Sequence, residues 1–162
     1  MERESCADRL AFDLCNCVAE LFYREGNFAD SINSLIKALG VIEIAHLDIP
    51  KEEAEIFDEI GLVYWELFRF KESLIYFNKA LEIKKSIYDD NDPNIASTYN
   101  NIAEALDKLH EYGKAEYYFK KAIAIYKEKL GEENRRTINT YDNMANLYCH
   151  MERYEQAIFY HK

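Results

Sequence analysis

The sequence repeats itself with a period of 42 residues. When the chain is shifted by one period, residues 99–103 (Tyr-Asn-Asn-Ile-Ala) lie over residues 141–145 (Tyr-Asp-Asn-Met-Ala), and residues 57–61 and 15–19 occupy the same place in two earlier copies. An aromatic residue follows in every copy, and a small residue comes three places later. Four copies in register identify a repeat protein, in which each copy is one structural unit that packs on its neighbours.

Each copy has the pattern of two amphipathic helices. In the third copy, apolar or small residues recur at three- and four-residue spacing and predict helices over about residues 94–109 and 113–130. Asp92 and Pro93 predict a helix start, Gly131 predicts a helix end, and Pro50 marks the first junction between copies. Only five Gly and two Pro occur in 162 residues, which favours long helices over many short strands.

Small residues recur at two places in the copies. One set is predicted to lie where the two helices of a pair cross, and the other where the next copy approaches. A larger side chain at these places would force the helices apart, at a cost of about 1–3 kcal/mol. The two sets are Ala19, Gly61, Ala103 and Ala145, and Ala38, Ala80 and Ala122.

This pattern resembles the tetratricopeptide repeat (TPR), and the 42-residue period with longer helices resembles its kinesin-light-chain-type subgroup. The resemblance implies an all-α fold, a right-handed α-solenoid of stacked antiparallel helix pairs with about three and a half repeats. We expect one array over residues 1–162, with repeats at about 12–46, 54–88, 96–130 and an incomplete 138–162. In the third copy the matching residues are Tyr99, Ile102, Ala103, Tyr112, Ala115, Phe119 and Ala122.

The first helix of each pair is predicted to line a concave groove that binds an extended peptide. Its outward positions are rich in carboxylates and amides and almost free of bases. The resemblance implies that Asn101 and Asn143 contact the backbone of a bound peptide, while Trp65 is either a peptide anchor or ordinary packing. Simple solvated helix faces remain an equal alternative for the acidic positions. The expected groove residues are Asn16, Glu20, Asp58, Glu59, Trp65, Asn100, Asn101, Glu104, Asp142, Asn143 and Asn146.

The charge of the chain limits its partners. With 30 acidic and 20 basic residues, the formal net charge is −10, which disfavours binding to nucleic acid or to an anionic membrane. No stretch approaches the roughly 18 apolar residues of a membrane span. The polar start, residues 1–5, has no apolar segment typical of a signal peptide, so we expect a cytoplasmic protein.

No set of residues predicts catalysis or metal binding. Cys15 and Cys17 form a C-x-C sequence, but residues two apart on a helix point about 200° from each other, so these thiols cannot readily share an ion. We expect the cysteines to be reduced and packed as small apolar residues. Residues 89–92 lack the glycine and the final glutamate of a calcium loop. The sequence therefore predicts no enzyme, no cofactor and no metal site.

The predicted function is a noncatalytic protein–protein interaction module, an adaptor or scaffold that binds an extended basic or polar peptide. One alternative is a sensor or regulatory segment of a larger signalling protein whose catalytic domain is elsewhere. Another is an architectural module that self-associates through the apolar residues 158–160, which the fourth copy leaves without a complete partner.

Overall fold

The computed structural model describes residues 6–161, so the polar start at residues 1–5 lies outside the described residues. The described chain is all-α, as the sequence predicts. In the third copy, the two helices begin and end within one residue of the predicted bounds. The helices of this range are α1 (Cys6–Arg24), α2 (Phe28–Ile44), α3 (Pro50–Glu66), α4 (Phe70–Ile87), α5 (Pro93–Lys108), α6 (Tyr112–Leu130), α7 (Arg135–His150) and α8 (Tyr154–Tyr160).

The junctions between copies carry the predicted caps. The side chain of Asp92 accepts a hydrogen bond from the backbone N–H of Asn94 at 2.7 Å, and Pro93 is the first residue of α5. Pro50 likewise begins α3, and Gly131, with φ +89°, is the C-cap residue of α6. These residues therefore set the helix limits locally, because they satisfy or remove the orphan backbone groups at the helix ends.

The turn inside each helix pair has one recurring conformation. The residue two before the second helix has a positive φ in all four copies, at Gly26, Phe68, His110 and Glu152. The next residue then donates its N–H to the carbonyl five positions back, as in Asn27 to Phe22 at 2.8 Å. This is the bond of a Schellman motif, and it turns the chain back on itself. Only the first copy uses glycine there, so the other three turns carry the small cost of a left-handed non-glycine residue.

By their contacts, the described residues form two compact units, with the boundary inside α4 after Ile83. The first unit contains α1, α2, α3 and most of α4, and its core includes Phe12, Leu35 and Ile60, each at most 2% exposed. Tyr64 and Tyr76 stack with their ring centroids 5.3 Å apart and join α3 to α4.

The second unit begins at Lys84 and contains α5 to α8. Ile102, Phe119 and Leu147 lie in its core, each at most 1% exposed. The Tyr148 hydroxyl donates to Glu116 at 3.0 Å and so joins α7 to α6. The same tyrosine stacks on Tyr160 of α8, with ring centroids 5.5 Å apart.

The two sets of recurring small residues are buried as predicted. The six alanines are at most 4% exposed, and Gly61 is also buried. A Cβ atom built on Gly61 would lie only 2.5 Å from the Phe77 ring, which shows how closely α3 and α4 approach. The extent of the repeats as one array over residues 1–162 remains a prediction.

Candidate functional site

The expected groove residues all lie on first helices, and the helical period places them at matching positions. Three of those in the second unit form one polar cluster, and three of those in the first unit line one cavity. They are distributed as Asn16 and Glu20 on α1, Asp58, Glu59 and Trp65 on α3, Asn100, Asn101 and Glu104 on α5, and Asp142, Asn143 and Asn146 on α7.

In the second unit, Asn100, Glu104 and Asn143 bond to one another; we call them the amide cluster. The Asn143 side-chain Nδ2 donates to Glu104 Oε1 at 2.7 Å and to Asn100 Oδ1 at 3.2 Å. Asn100 Nδ2 also donates to Glu104 Oε1. The two amides therefore hold one carboxylate and join α5 to α7.

Burial makes Glu104 an unusual carboxyl group. The loss of hydration raises its pKa above the ordinary value, while the hydrogen bonds from Asn100 and Asn143 and the charge of Lys108 act in the opposite direction. The net effect is a raised pKa, so keeping Glu104 charged costs free energy. The hydrogen bonds from the two amides reduce that cost. The amide cluster is thus a structural contact between two first helices.

In the first unit, a cavity of about 350 Å³ lies at the meeting of α1, α2 and α3; we call it the acidic cavity. Its walls are mainly apolar, and Asn16, Glu20 and Glu59 are its expected polar residues. Tyr23 of α1 and Leu62 of α3 also line it, and α2 contributes Ser31 and Leu35, which a pattern of first helices alone does not predict. The full lining is Asn16, Cys17, Ala19, Glu20, Tyr23, Ser31, Leu35, Glu59, Leu62 and Val63.

Negative charge is crowded around this cavity. The pKa of Glu59 is raised, first by the packing around its carboxyl group and then by repulsion from Glu55, Glu20 and Asp58. Glu59 as a whole residue is exposed, so this crowding faces a region that solvent or a ligand can enter. Glu20 has one basic neighbour, Arg24, whose Nη2 lies 2.5 Å from its carboxylate on the exposed face of α1.

Of the remaining polar groups of the acidic cavity, the two hydroxyls already donate hydrogen bonds within the protein, and one acceptor has no donor. The Tyr23 hydroxyl donates to Glu66 at 3.4 Å, and the Ser31 hydroxyl donates to the backbone oxygen of Ala19 at 2.9 Å. The Oδ1 atom of Asn16 is buried and has no hydrogen-bond partner. The cavity thus offers carboxylates to an incoming group, and an amide oxygen without a partner is buried in its wall.

Other expected groove residues lie apart from these two places. Trp65 is half-buried, packs edge-on against Phe70 with ring centroids 6.1 Å apart, and its buried Nε1 has no hydrogen-bond partner. Asp142 lies 3.3 Å from the ring nitrogen of His161, Asn101 is half-buried, and Asn146 is exposed.

The cysteines do not pack as predicted. Cys6, Cys17 and Cys149 are exposed and Cys15 is half-buried, and all four are free thiols. Expecting all of them to be packed was therefore wrong, because three lie on the outward faces of their helices.

The described residues hold neither a metal-ligand cluster nor a membrane-spanning helix. No three His, Cys, Asp or Glu side chains between residues 6 and 161 come together as a metal site. None of the helices in that range is long and apolar enough to cross a bilayer.

Comparison with known proteins identifies the repeat. Residues 52–128 match the sequence model of the tetratricopeptide repeat family. A search of curated protein sequences finds no match to this chain.

Solved structures share the fold at low sequence identity. BtubC from P. vanneervenii is 22% identical with a TM-score of 0.77, and the match covers 91% of this chain and 61% of BtubC. The apo form of RapI is 19% identical with a TM-score of 0.82, covering 94% of this chain and 41% of RapI. A kinesin light chain-like protein from Podosopora anserina with nearly identical TPR-like repeats is 14% identical with a TM-score of 0.80, covering 99% of this chain and 74% of that protein.

The chain therefore spans about three fifths of BtubC and about two fifths of RapI. At these identities the likeness establishes the fold, and the family model establishes the repeat within it. Together with the 42-residue period and the all-α structure, they show that residues 52–128 carry tetratricopeptide repeats and that the chain has the fold of solved tetratricopeptide-repeat structures, among them one with kinesin light chain-like repeats.

Proposed function

We propose that this chain is a noncatalytic protein-interaction module that binds an extended, basic or polar segment of a partner against the first helices of its repeats. The observation that carries the proposal is the grouping of carboxylates at the acidic cavity, which Glu20 and Glu59 both line; burial first, and then repulsion from neighbouring carboxylates, raises the pKa of Glu59. A positively charged partner relieves this repulsion, whereas an acidic partner increases it.

The comparisons support an interaction role of this kind. A Rap protein with 22% identity and a TM-score of 0.78 was crystallised in complex with Competence and Sporulation Factor, and the match covers 42% of that Rap protein. A fold that accommodates a bound factor in one protein is a reasonable scaffold for binding here. The choice of a basic segment rests on this chain's own carboxylates.

The proposal predicts a preference for basic peptides that weakens with salt. At 50 mM salt, we expect a pool of extended peptides with net positive charge to bind about tenfold more tightly than matched peptides with net negative charge, because charges within about 10 Å interact at low ionic strength. Fluorescence anisotropy with labelled peptides measures this difference, and raising the salt to 300 mM should remove most of it.

Matched charge reversals locate the effect. Glu55→Lys changes an exposed carboxylate on α3 near Glu59, whereas Glu128→Lys changes an exposed carboxylate on α6, a second helix. We expect the first variant to weaken binding of the basic peptides and the second to leave it nearly unchanged. Equal affinity for basic and acidic peptides at low salt would contradict the proposal.

Self-association is a second candidate function, favoured by an exposed apolar end. Ile158 is 74% exposed and Phe159 is 64% exposed, and Phe159 and Tyr160 line a cavity of about 500 Å³ in the second unit. A second copy that covered these side chains would bury this apolar surface.

Light scattering at several protein concentrations tests this candidate. If the end of α8 mediates self-association, the average mass rises with concentration, and Phe159→Asp abolishes the rise while the helical content stays the same. A protein that remains monomeric at the highest concentration counts against this candidate.

A further inference from the structure

Three positions of the first unit recur two periods later in the second unit, and the residue type differs at one of them. Asn16 and Glu20 on α1 lie two periods before Asn100 and Glu104 on α5, and Glu59 on α3 lies two periods before Asn143 on α7. The first two positions are identical in type. The third is an amide in the second unit and a carboxylate in the first.

In the second unit, the third position supplies the donors. Asn143 Nδ2 bonds to Asn100 Oδ1 and to Glu104 Oε1, so both acceptors have a partner. The protein's own Asn143 side chain therefore supplies the N–H donors for these two acceptors.

In the first unit, those donors are missing. A glutamate that has lost its proton only accepts hydrogen bonds, so Glu59 cannot replace the amide of Asn143. The Asn16 Oδ1 atom is the equivalent of Asn100 Oδ1, and it is buried without a partner. Where the second unit has a bonded cluster, the first unit has the acidic cavity of about 350 Å³.

We infer that the acidic cavity binds the guanidinium group of an arginine side chain from the partner segment, and that this group supplies the N–H donors that Glu59 cannot. A guanidinium presents five N–H donors in a planar fork and accepts no hydrogen bond, so it matches a site that offers the exposed carboxylates of Glu20 and Glu59, and a turn of the Asn16 side chain would bring its unpartnered oxygen within reach. Its positive charge lies between two carboxylates.

The walls of the cavity suit the rest of that side chain. Leu35, Leu62 and Val63 line it, and they can contact the methylene groups that carry a guanidinium. Arg24 already pairs with Glu20, but both side chains are more than 60% exposed, and an exposed pair of this kind exchanges readily with a competing cation. A metal ion fits less well, because two carboxylates and one amide between apolar walls supply few ligands for it.

The first test compares arginine with its uncharged analogue. The inference rests on the proposed function, but the probes are single residues: N-acetyl-arginine amide and N-acetyl-citrulline amide, which has the same shape without the charge. In NMR titrations of the full chain, we expect the arginine probe to shift the signals of Asn16, Leu35 and Leu62 and to bind at least tenfold more tightly than the citrulline probe. Equal binding, or shifts confined to other residues, would overturn the inference.

The second test converts the first unit to the arrangement of the second. Glu59→Asn places an amide at the third position, so we expect it to bond to Asn16 and Glu20, to leave the melting temperature unchanged or higher, and to weaken binding of the arginine probe at least tenfold. Glu128→Asn removes one carboxylate from an exposed part of α6 and serves as the matched control, with unchanged probe binding. A folded Glu59→Asn variant that binds the arginine probe as tightly as the wild type contradicts the inference.

Peptide measurements separate this inference from the proposed function. If basic peptides bind tightly and replacing each arginine by citrulline or lysine changes nothing, the arginine site is wrong and the interaction module stands. If the arginine probe binds at the acidic cavity but extended basic peptides bind no more tightly than the probe, the arginine site stands and the extended binding mode is wrong.

Discussion

Replacing Gly61 by leucine is expected to lower the free energy of unfolding by about 3 kcal/mol, the upper end of the usual overpacking cost. A Cβ atom at this position would lie 2.5 Å from Cε1 and 2.6 Å from Cδ1 of the Phe77 ring. Phe77 is fully buried, so the ring can move aside only by displacing other atoms of the core. The added side chain therefore forces α3 and α4 apart or distorts the ring packing.

Gly40→Leu is the matched control for this prediction. Gly40 lies inside α2 of the same unit, and a Cβ atom built there meets nothing within 4 Å. Both substitutions gain about 1 kcal/mol of helix propensity over glycine, so the difference between them isolates the packing cost. For a chain of this size, we expect Gly61→Leu to melt roughly 10 °C below wild type and Gly40→Leu to melt at or above it. Equal melting temperatures would contradict the close packing at Gly61.

The glycine also shows why the fold could be predicted from the sequence. Ala103 and Ala145 take the same place in later copies, so the period alone marked position 61 as a point of close approach. Repeat periodicity, helical spacing and the caps at Asp92 and Gly131 are local properties of the sequence. The helix pairs follow from them because each amphipathic helix must bury one face against its neighbour.

The conformation of the turns inside the helix pairs follows only in part from the sequence. Gly26 marks the first, but Phe68, His110 and Glu152 adopt the same left-handed conformation without glycine. Phe, His and Glu are not residue types that indicate a turn. The neighbouring helix packing and the 6→1 hydrogen bond impose the conformation, so only the position of the turn within the period predicts it.

The pairing of the groove side chains could not be predicted from the helices alone. Sequence reasoning selected Asn100, Glu104 and Asn143 as outward residues, but it did not show that they bond to one another. These hydrogen bonds form only if α5 and α7 are placed relative to each other with an accuracy of about one hydrogen-bond length, which the sequence pattern does not specify. The signal that was available lay in comparing copies: Glu59 takes the position of Asn143, which changes the donors and acceptors at otherwise matching positions.

Asn143→Glu, the reciprocal exchange, is expected to destabilise the second unit by about 2–4 kcal/mol at pH 7. The substitution removes two hydrogen bonds, one of them to the partly buried carboxylate of Glu104, and a hydrogen bond to a charged group is worth about 1.5–3 kcal/mol. It also places a second negative charge beside Glu104. Chemical denaturation at neutral pH measures the loss.

The control adds the same charge to the same helix outside the amide cluster. Asn146 is exposed and lies three residues after Asn143 on α7, so Asn146→Glu should change the free energy of unfolding by no more than about 0.5 kcal/mol. An equal loss in both variants would assign the effect to charge on α7 in general and would contradict the role of the Asn143 donor.

The pH dependence of the loss identifies its cause. Burial already raises the pKa of Glu104 above the ordinary glutamate value of 4.5, and Asn143→Glu removes an opposing hydrogen bond and adds repulsion, so the folded-state pKa rises further. A carboxyl group whose pKa is higher in the folded than in the unfolded protein binds protons preferentially in the folded state, and stability then increases as the pH falls through the raised pKa. The deficit of Asn143→Glu should therefore shrink between pH 7 and pH 5, while that of Asn146→Glu stays constant. If the stability deficit of Asn143→Glu did not depend on pH, it would arise from lost packing and not from the missing donor between two carboxylates. The donor at position 143 would then not explain why the second unit has a closed cluster where the first has an open cavity.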